Sequence, residues 1–140
     1  MSPFFPAEGR NYLWNVALRG GVQYSTWYLA LFEGDYTPQD DDTAANFTVR
    51  ATECTAYTLG TRPEFVESEP ANGAVDNDDN ITAFTLSAAK TIKGYAILSA
   101  PAKGATSGVL LCIQKLTAPR SYGAGDVVRV PASLILANVS

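Results

Sequence analysis

Residues 27–32 read Trp27-Tyr28-Leu29-Ala30-Leu31-Phe32, apolar at every position, and in an extended strand successive side chains point to opposite faces. Trp27, Leu29 and Leu31 then share one face, and Tyr28, Ala30 and Phe32 share the other. Both faces need cover. A free-standing two-layer sandwich buries one face of each strand, so the second calls for a helix, a loop or another chain. The strand runs into an acidic loop. Its run Asp40-Asp41-Asp42 precedes Thr43, Ala44, Ala45 and Phe47, and acids before such a stretch predict the start of a short helix. Upstream, Asn11 is placed to cap a helix in which Leu13, Val16 and Ala17 share a face and Gly20 supplies a left-handed stop. That helix is the expected cover for one side of residues 27–32. Phe4 and Phe5, held between Pro3 and Pro6, predict an extended N-terminal arm over residues 1–10, either a strap on its own domain or a hook onto a neighbour.

Residues 48–62 are mixed and read as loop with a further helical turn. Beyond Pro63 the signals are those of strands. Glu64 to Glu69 lies between two prolines, and Asn72-Gly73 is a turn dipeptide whose residues both tolerate positive φ. Ile81 to Leu86 and Thr91 to Ser99 nearly alternate and flank small residues at Ala88 and Ala89, which predicts a hairpin, with Gly94 marking a bend or bulge. Val109 to Leu116 is a second strongly apolar strand. Val127 to Val130 and Leu134 to Ala137 are split by Pro131, which cannot donate to a central ladder and so belongs at an edge or bend. Together these elements predict an all-β, two-sheet β-sandwich of jelly-roll or Greek-key type, with one or two short helices in the N-terminal half. Residues 11–140 form its single domain.

Composition narrows function mainly by exclusion. A chain of 140 residues is one domain that buries about two thirds of the surface its unfolded form exposes. A net charge of −4, with Lys and Arg dispersed, argues against nucleic acid and anionic membranes as partners. The N-terminus lacks the basic start and apolar centre of a signal peptide, so synthesis in the cytoplasm of the expressing cell is expected. Cys54 and Cys112 are too few for a disulfide framework and read as buried, reduced thiols with no metal-type pairing. The sequons at Asn46, Asn80 and Asn138 read as polar surface.

Histidine is absent, which removes Ser-His-Asp and Cys-His catalysis and most zinc sites. A carboxylate pair of glycosidase type remains, drawn from Asp35, Asp40 to Asp42, Glu53, Glu64, Glu67, Glu69 and Asp76 to Asp79. Most of these stand in turn-like runs, where a catalytic acid lacks the desolvation that would hold its proton. The run Asp76 to Asn80 begins like a calcium loop, but Ile81 and Ser87 stand where an EF-hand needs Gly and a bidentate acid. Neither an enzyme, a metal nor a cofactor is expected. The aromatic set Trp14, Tyr24, Trp27, Tyr28 and Tyr36 suits a sugar-binding face or a packed core, and the apolar setting of Trp27 and Tyr28 favours the core.

The blocks TWYLALFEGDYTPQDDDTAANF, TECTAYTLGTRPEF, NITAFTLSAAKTIKGYAILS, GVLLCIQKL and GDVVRVPASLILA resemble small virion proteins encoded beside the major capsid protein of tailed bacteriophages, the cement or decoration proteins of the head. The resemblance covers the chain from about Tyr12 onward and rests on pattern and order. It implies a β-sandwich on the outer surface of the capsid, with the major capsid protein as partner and self-association as a dimer or trimer on a symmetry axis. The alternatives are a tail-fibre or receptor-binding β module, with or without sugar recognition, and a small carboxylate glycosidase. Apolar exposure nominates Phe4, Phe5, Trp14, Trp27, Tyr28 and Phe32 as protein-interface residues.

Overall fold

The apolar hexad forms β1 (Trp27–Phe32) in the middle of an antiparallel sheet. The computed structural model describes residues 3–136, and the account below concerns those residues. One edge of β1 pairs with β6 (Lys90–Leu98), which pairs in turn with the long β7 (Leu110–Tyr122). The other edge is shared by two short strands, β2 (Glu53–Cys54) beside Leu31 and Phe32, and β3 (Glu64–Phe65) beside Trp27 and Tyr28. Facing this sheet are two ribbons, β4 (Ala74–Asp76) with β9 (Ser133–Ile135), and β5 (Thr82–Thr85) with β8 (Val127–Val130). The fold is all-β and sandwich-like.

Both faces of β1 are covered within the chain. Leu29 and Leu31 join Ile97 and Cys112 of the sheet and Phe84, Val128, Val130 and Leu134 of the ribbons in the larger core. Ala30 and Phe32 meet Ala44, Phe47 and Ala51, with the Phe32 and Phe47 rings packed edge to face at 6.2 Å. The second cover is therefore α2 (Ala44–Arg50), the helix that follows the acidic run, and not the earlier helix expected in that place. Thr43 and Asn46 form its capping box, with the Thr43 N–H donating to Asn46 Oδ1 at 2.8 Å.

The earlier helix, α1 (Ala7–Arg19), starts four residues before Asn11, because Pro6 holds the extended geometry of a cap (ψ 169°) and Glu8 supplies an acid in the first turn. It lies on β7, and Gly9 lets it approach. A Cβ at that position would stand 2.0 Å from the Leu111 carbonyl oxygen. Glu8 fastens the same junction, its Oε2 accepting from the N–H of Leu110 at 2.9 Å and of Ala44 at 2.8 Å. Before the helix, Phe4 exchanges two backbone hydrogen bonds with Ile113, at 2.7 and 2.8 Å, and Phe5 packs against the larger core. Residues 3–6 are thus a strap on their own domain.

The expected hairpin of residues 81–99 does not form. β5 and β6 exist, but the turn at 87–89 carries the chain from ribbon to sheet, and β5 pairs with β8. The long hairpin is β6–β7. Its register slips beside Gly94, where the Phe32 ring would lie 2.1 Å from an added Cβ. Opposite the same slip, β7 bulges through residues 116–119, which accommodates Pro119 within a strand.

Cys54 and Cys112 are free and fully buried. β1 and β6 lie between their strands, so they stand three strand spacings apart, roughly 14 Å, beyond reach of a disulfide. Burial raises the pKa of both thiols and likewise of the Tyr57 and Tyr95 hydroxyls. Groups that hold their protons more tightly when folded contribute stability that is complete below the ordinary thiol pKa of 9.0 and declines as pH rises past it. Thermal unfolding followed upward from neutral pH should show a Tm that falls above about pH 9. Cys112→Ala should make that fall shallower while costing about 1–2 kcal/mol at neutral pH through lost packing. Cys112→Ser should cost more, because it buries a hydroxyl. A Tm level through the alkaline range would contradict this.

Candidate functional site

The acidic loop after β1 is consumed in structure. Asp40 pairs with Arg10 of α1, and Asp41 pairs with Arg50 of α2 at 2.8 Å. Asp42 is fully buried and accepts from the Gln39 N–H at 2.7 Å, from Arg50 at 2.9 Å and from the Tyr36 hydroxyl. The hydrogen bond from Arg50 holds the Asp41 carboxyl below its usual range, while burial and the hydrogen bond to Asp42 raise the pKa of Tyr36. The calcium-like run is spent in the same way. Asp76 accepts from Ser68 Oγ at 2.9 Å, and the buried Asn77 bridges Val130 O and the Ala132 N–H at 3.0 and 2.9 Å. Glu53, whose side chain is almost completely removed from water, forms a two-pronged ion pair with Arg62, whose remaining donors reach the carbonyls of Ala100 and Ala105.

What remains open is an apolar cleft of about 410 Å³ beside α1. Segments from both ends and the middle of the chain build it. The strap contributes Phe5, α1 contributes Leu13, the loop after α1 contributes Tyr24, the paired ends of β1 and β3 contribute Trp27 and Phe65, and the β4–β9 ribbon contributes Val75, Leu134 and the adjoining Leu136. Tyr24 and Trp27, two rings of an aromatic triad that Tyr12 completes, line its wall. The Tyr12 and Tyr24 rings both stand edge-on to Trp27, at 5.1 and 5.9 Å, and the Tyr24 N–H donates to the Tyr12 hydroxyl at 2.8 Å, which ties the loop to the helix. The Leu136 N–H donates to Gly73 O at 2.9 Å and ties the far wall to the Asn72-Gly73 turn.

The volume falls in the range of ligand pockets, and the wall of rigid aromatics matches the anchor pockets of protein interfaces. Among the described residues Glu67 is the one carboxylate on the lining, and Gln23, Ser25 and the Tyr24 hydroxyl add the few other polar groups. A sugar buried there would leave most of its hydroxyls without partners, at a cost of about 1–3 kcal/mol each. An aliphatic or aromatic side chain loses nothing by entering.

Of the residues nominated from sequence, Phe5 and Trp27 line the cleft. Trp14 is 61 % exposed on α1, beside Leu18 at 76 %. Phe4 lies partly exposed at the outer edge of β7. Tyr28 points to the opposite face of β1, and Phe32 is fully buried beneath α2, so Phe32 is core and not contact surface. Phe65, Leu134 and Leu136 escaped notice because each belongs to a very short strand or its end, where periodicity has no room to register.

The family model described as Podophage GP4 fiber I protein gp80 matches residues 9–137, nearly the whole chain. No curated protein matches it.

Proposed function

Because the chain belongs to the podophage GP4 fiber I protein gp80 family and is a structural protein of the phage virion, we propose that it is a fibre-associated module that docks a neighbouring virion protein in its aromatic cleft. The observation that carries the docking is the rigid, nearly uncharged pocket walled by Trp27, Tyr24 and Phe65. Its occupant is an apolar segment of the neighbouring protein, anchored by one aromatic or branched side chain, because partly exposed aromatic walls reward apolar burial and supply few hydrogen bonds. This reading is preferred to head cement on two grounds. The family description names a fibre, and the apolar second face of β1, which had argued for a covering partner, is closed by α2.

The same reading assigns no catalysis. Asp42, Glu53 and Asp76 are all engaged in structural hydrogen bonds, and histidine is absent from the chain.

Leu136 offers the sharpest test, since it lines the cleft yet is 69 % exposed. Leu136→Asp should leave Tm within a few degrees of wild type, as surface changes do. It should also weaken incorporation into virions when it complements a phage lacking the gene, by about 30-fold in affinity if the leucine is an anchor. Val49→Asp, at an 81 % exposed position on α2, should incorporate normally. Equal incorporation of Leu136→Asp and wild type would remove the cleft from the account.

A further inference from the structure

Trp14 is more exposed than any other aromatic side chain among the described residues, and the still more exposed Leu18 follows it one turn later on α1. Residues four apart are neighbours on a helix surface, so the two form an outward apolar stripe. An indole left in water forgoes one of the largest apolar burials a side chain offers. Trp14 does not fold into the cleft of its own chain. The close approach of Gly9 and the Glu8 hydrogen bonds fix α1 on β7, and on that helix it is Leu13 that lines the cleft. Cover for the stripe has to come from another molecule.

The aromatic cleft has the size and charge to supply it. A cavity of roughly 150 Å³ holds a benzene ring. The cleft, at about 410 Å³, has room for an indole. The charges of the two surfaces are opposite. α1 carries Arg10, paired with Asp40, and Arg19, which makes no ion pair among the described residues. The single acid of α1, Glu8, is already held by the N–H groups of Leu110 and Ala44. Among the described residues the cleft lining has no lysine or arginine, and its carboxylate, Glu67, has no ion pair. The two surfaces also adjoin, since Leu13 lines the cleft and Trp14 is the next residue of the helix. A second copy that places its Trp14 in this cleft therefore brings its own α1, and with it its own cleft, up to the first copy's α1. An apolar patch that fits a pocket elsewhere on the same chain builds either an open string or a closed assembly, and adjacency favours the closed pair.

We propose that two copies of this chain associate about a two-fold axis by exchanging Trp14, each indole seated in the aromatic cleft of the other. This rests on the reading of the cleft as a docking site and deepens it: the neighbouring protein is a second copy, and its anchor is Trp14. Once the first contact forms, the second is intramolecular and adds to affinity without further encounter.

Sedimentation equilibrium of the purified chain over a range of concentrations tests the exchange. Wild type should reach twice the mass of the chain and stop there. Trp14→Lys and Leu136→Asp should each be monomeric where wild type is paired. An anchor contact is worth about 30-fold in affinity, and each change removes it twice, which compounds to roughly 1,000-fold. Both positions are exposed, so Tm should hold. An equimolar mixture of the two variants should recover pairs. In it the Trp14 of the Leu136→Asp chain enters the intact cleft of the Trp14→Lys chain, and the introduced lysine and aspartate meet with opposite charge. Val49→Asp should pair as wild type does. A wild-type chain that stays monomeric at millimolar concentration, while Leu136→Asp still lowers virion incorporation, would overturn the exchange and leave the cleft as a docking site for a different protein. Pairing that survives Leu136→Asp, mass that climbs past two chains, or a mixture that stays monomeric would overturn it as well.

Discussion

Replacing Arg62 by methionine is expected to be among the most damaging single changes in this chain. Arg62 is 1 % exposed, its side chain and that of Glu53 are almost completely removed from water, and all its guanidinium nitrogens are hydrogen-bonded. The pair clamps β2 to the segment that follows β6, since Glu53 lies on β2 and the two accepting carbonyls lie at Ala100 and Ala105. With the arginine gone, Glu53 faces a buried cavity with neither a cation nor its hydrogen bonds, and the two carbonyls lose their donors. Breaking one side of such a pair costs about 3–5 kcal/mol. For a domain of this size that corresponds to a drop in Tm of roughly 10–20 °C. The double variant Arg62→Met/Glu53→Leu should recover most of the loss, because it removes the stranded charge along with its partner. Calorimetric unfolding of the two variants checks both statements, and a mild Arg62→Met phenotype would mean that the clamp is incidental.

Gly9→Ala should produce the second large effect. The added methyl would stand 2.0 Å from the Leu111 carbonyl oxygen and 2.8 Å from its carbon, and these are backbone atoms of a core strand with no rotamer to adjust. α1 must lift off β7, which strains the Glu8 hydrogen bonds to Leu110 and Ala44. Overpacking costs about 1–3 kcal/mol in a core that can shift, and a clash with backbone belongs at the upper end or beyond. The helix propensity gained from alanine, about 1 kcal/mol, is too small to offset it. Since Leu13 and Tyr12 ride on the same helix, loss of α1 docking should also open the aromatic cleft. Tm together with near-ultraviolet circular dichroism, which reports the packing of Tyr12, Tyr24 and Trp27, measures the two consequences. An unchanged aromatic spectrum would show that α1 stays docked.

The parts of the fold legible in the sequence are those governed by local chemistry. The hexad 27–32 is apolar enough to be a central strand, Asn72-Gly73 adopts the positive φ values its residue types permit (52° and 75°), and the helix expected after the acidic run 40–42 forms as α2. Pro131 also separates β8 from β9 as its chemistry requires. What escaped was long-range. Whether β5 pairs with β6 or with β8 is decided by how ribbon and sheet share Phe84, Leu86 and Val128, and no local pattern encodes that choice. The buried partnership of Arg62 with Glu53 is invisible for a similar reason, since its worth depends on segments 38 to 43 residues away that satisfy the remaining donors.

The candidate site was legible only in part, and again for a physical reason. Trp27 and Phe5 announce themselves as large apolar residues, but a cleft is a property of the space between elements. Phe65, Leu134 and Leu136 reach it from a two-residue strand, a three-residue strand and the residue after that strand. Conversely, Phe32 was conspicuous in sequence because it belongs to an apolar strand, and it proved to be core once α2 covered that face. Exposure, which separates contact surface from core, emerges only when the layers are assembled.

The most direct test of the central claim is the location and copy number of this protein in purified virions, measured by antibody labelling in electron microscopy together with quantitative mass spectrometry. A fibre-associated module should label the fibre-bearing region of the particle and be present in a few copies per virion. Labelling spread over the head, at a copy number comparable to that of the major capsid protein, would contradict the account and return the chain to the role of capsid cement.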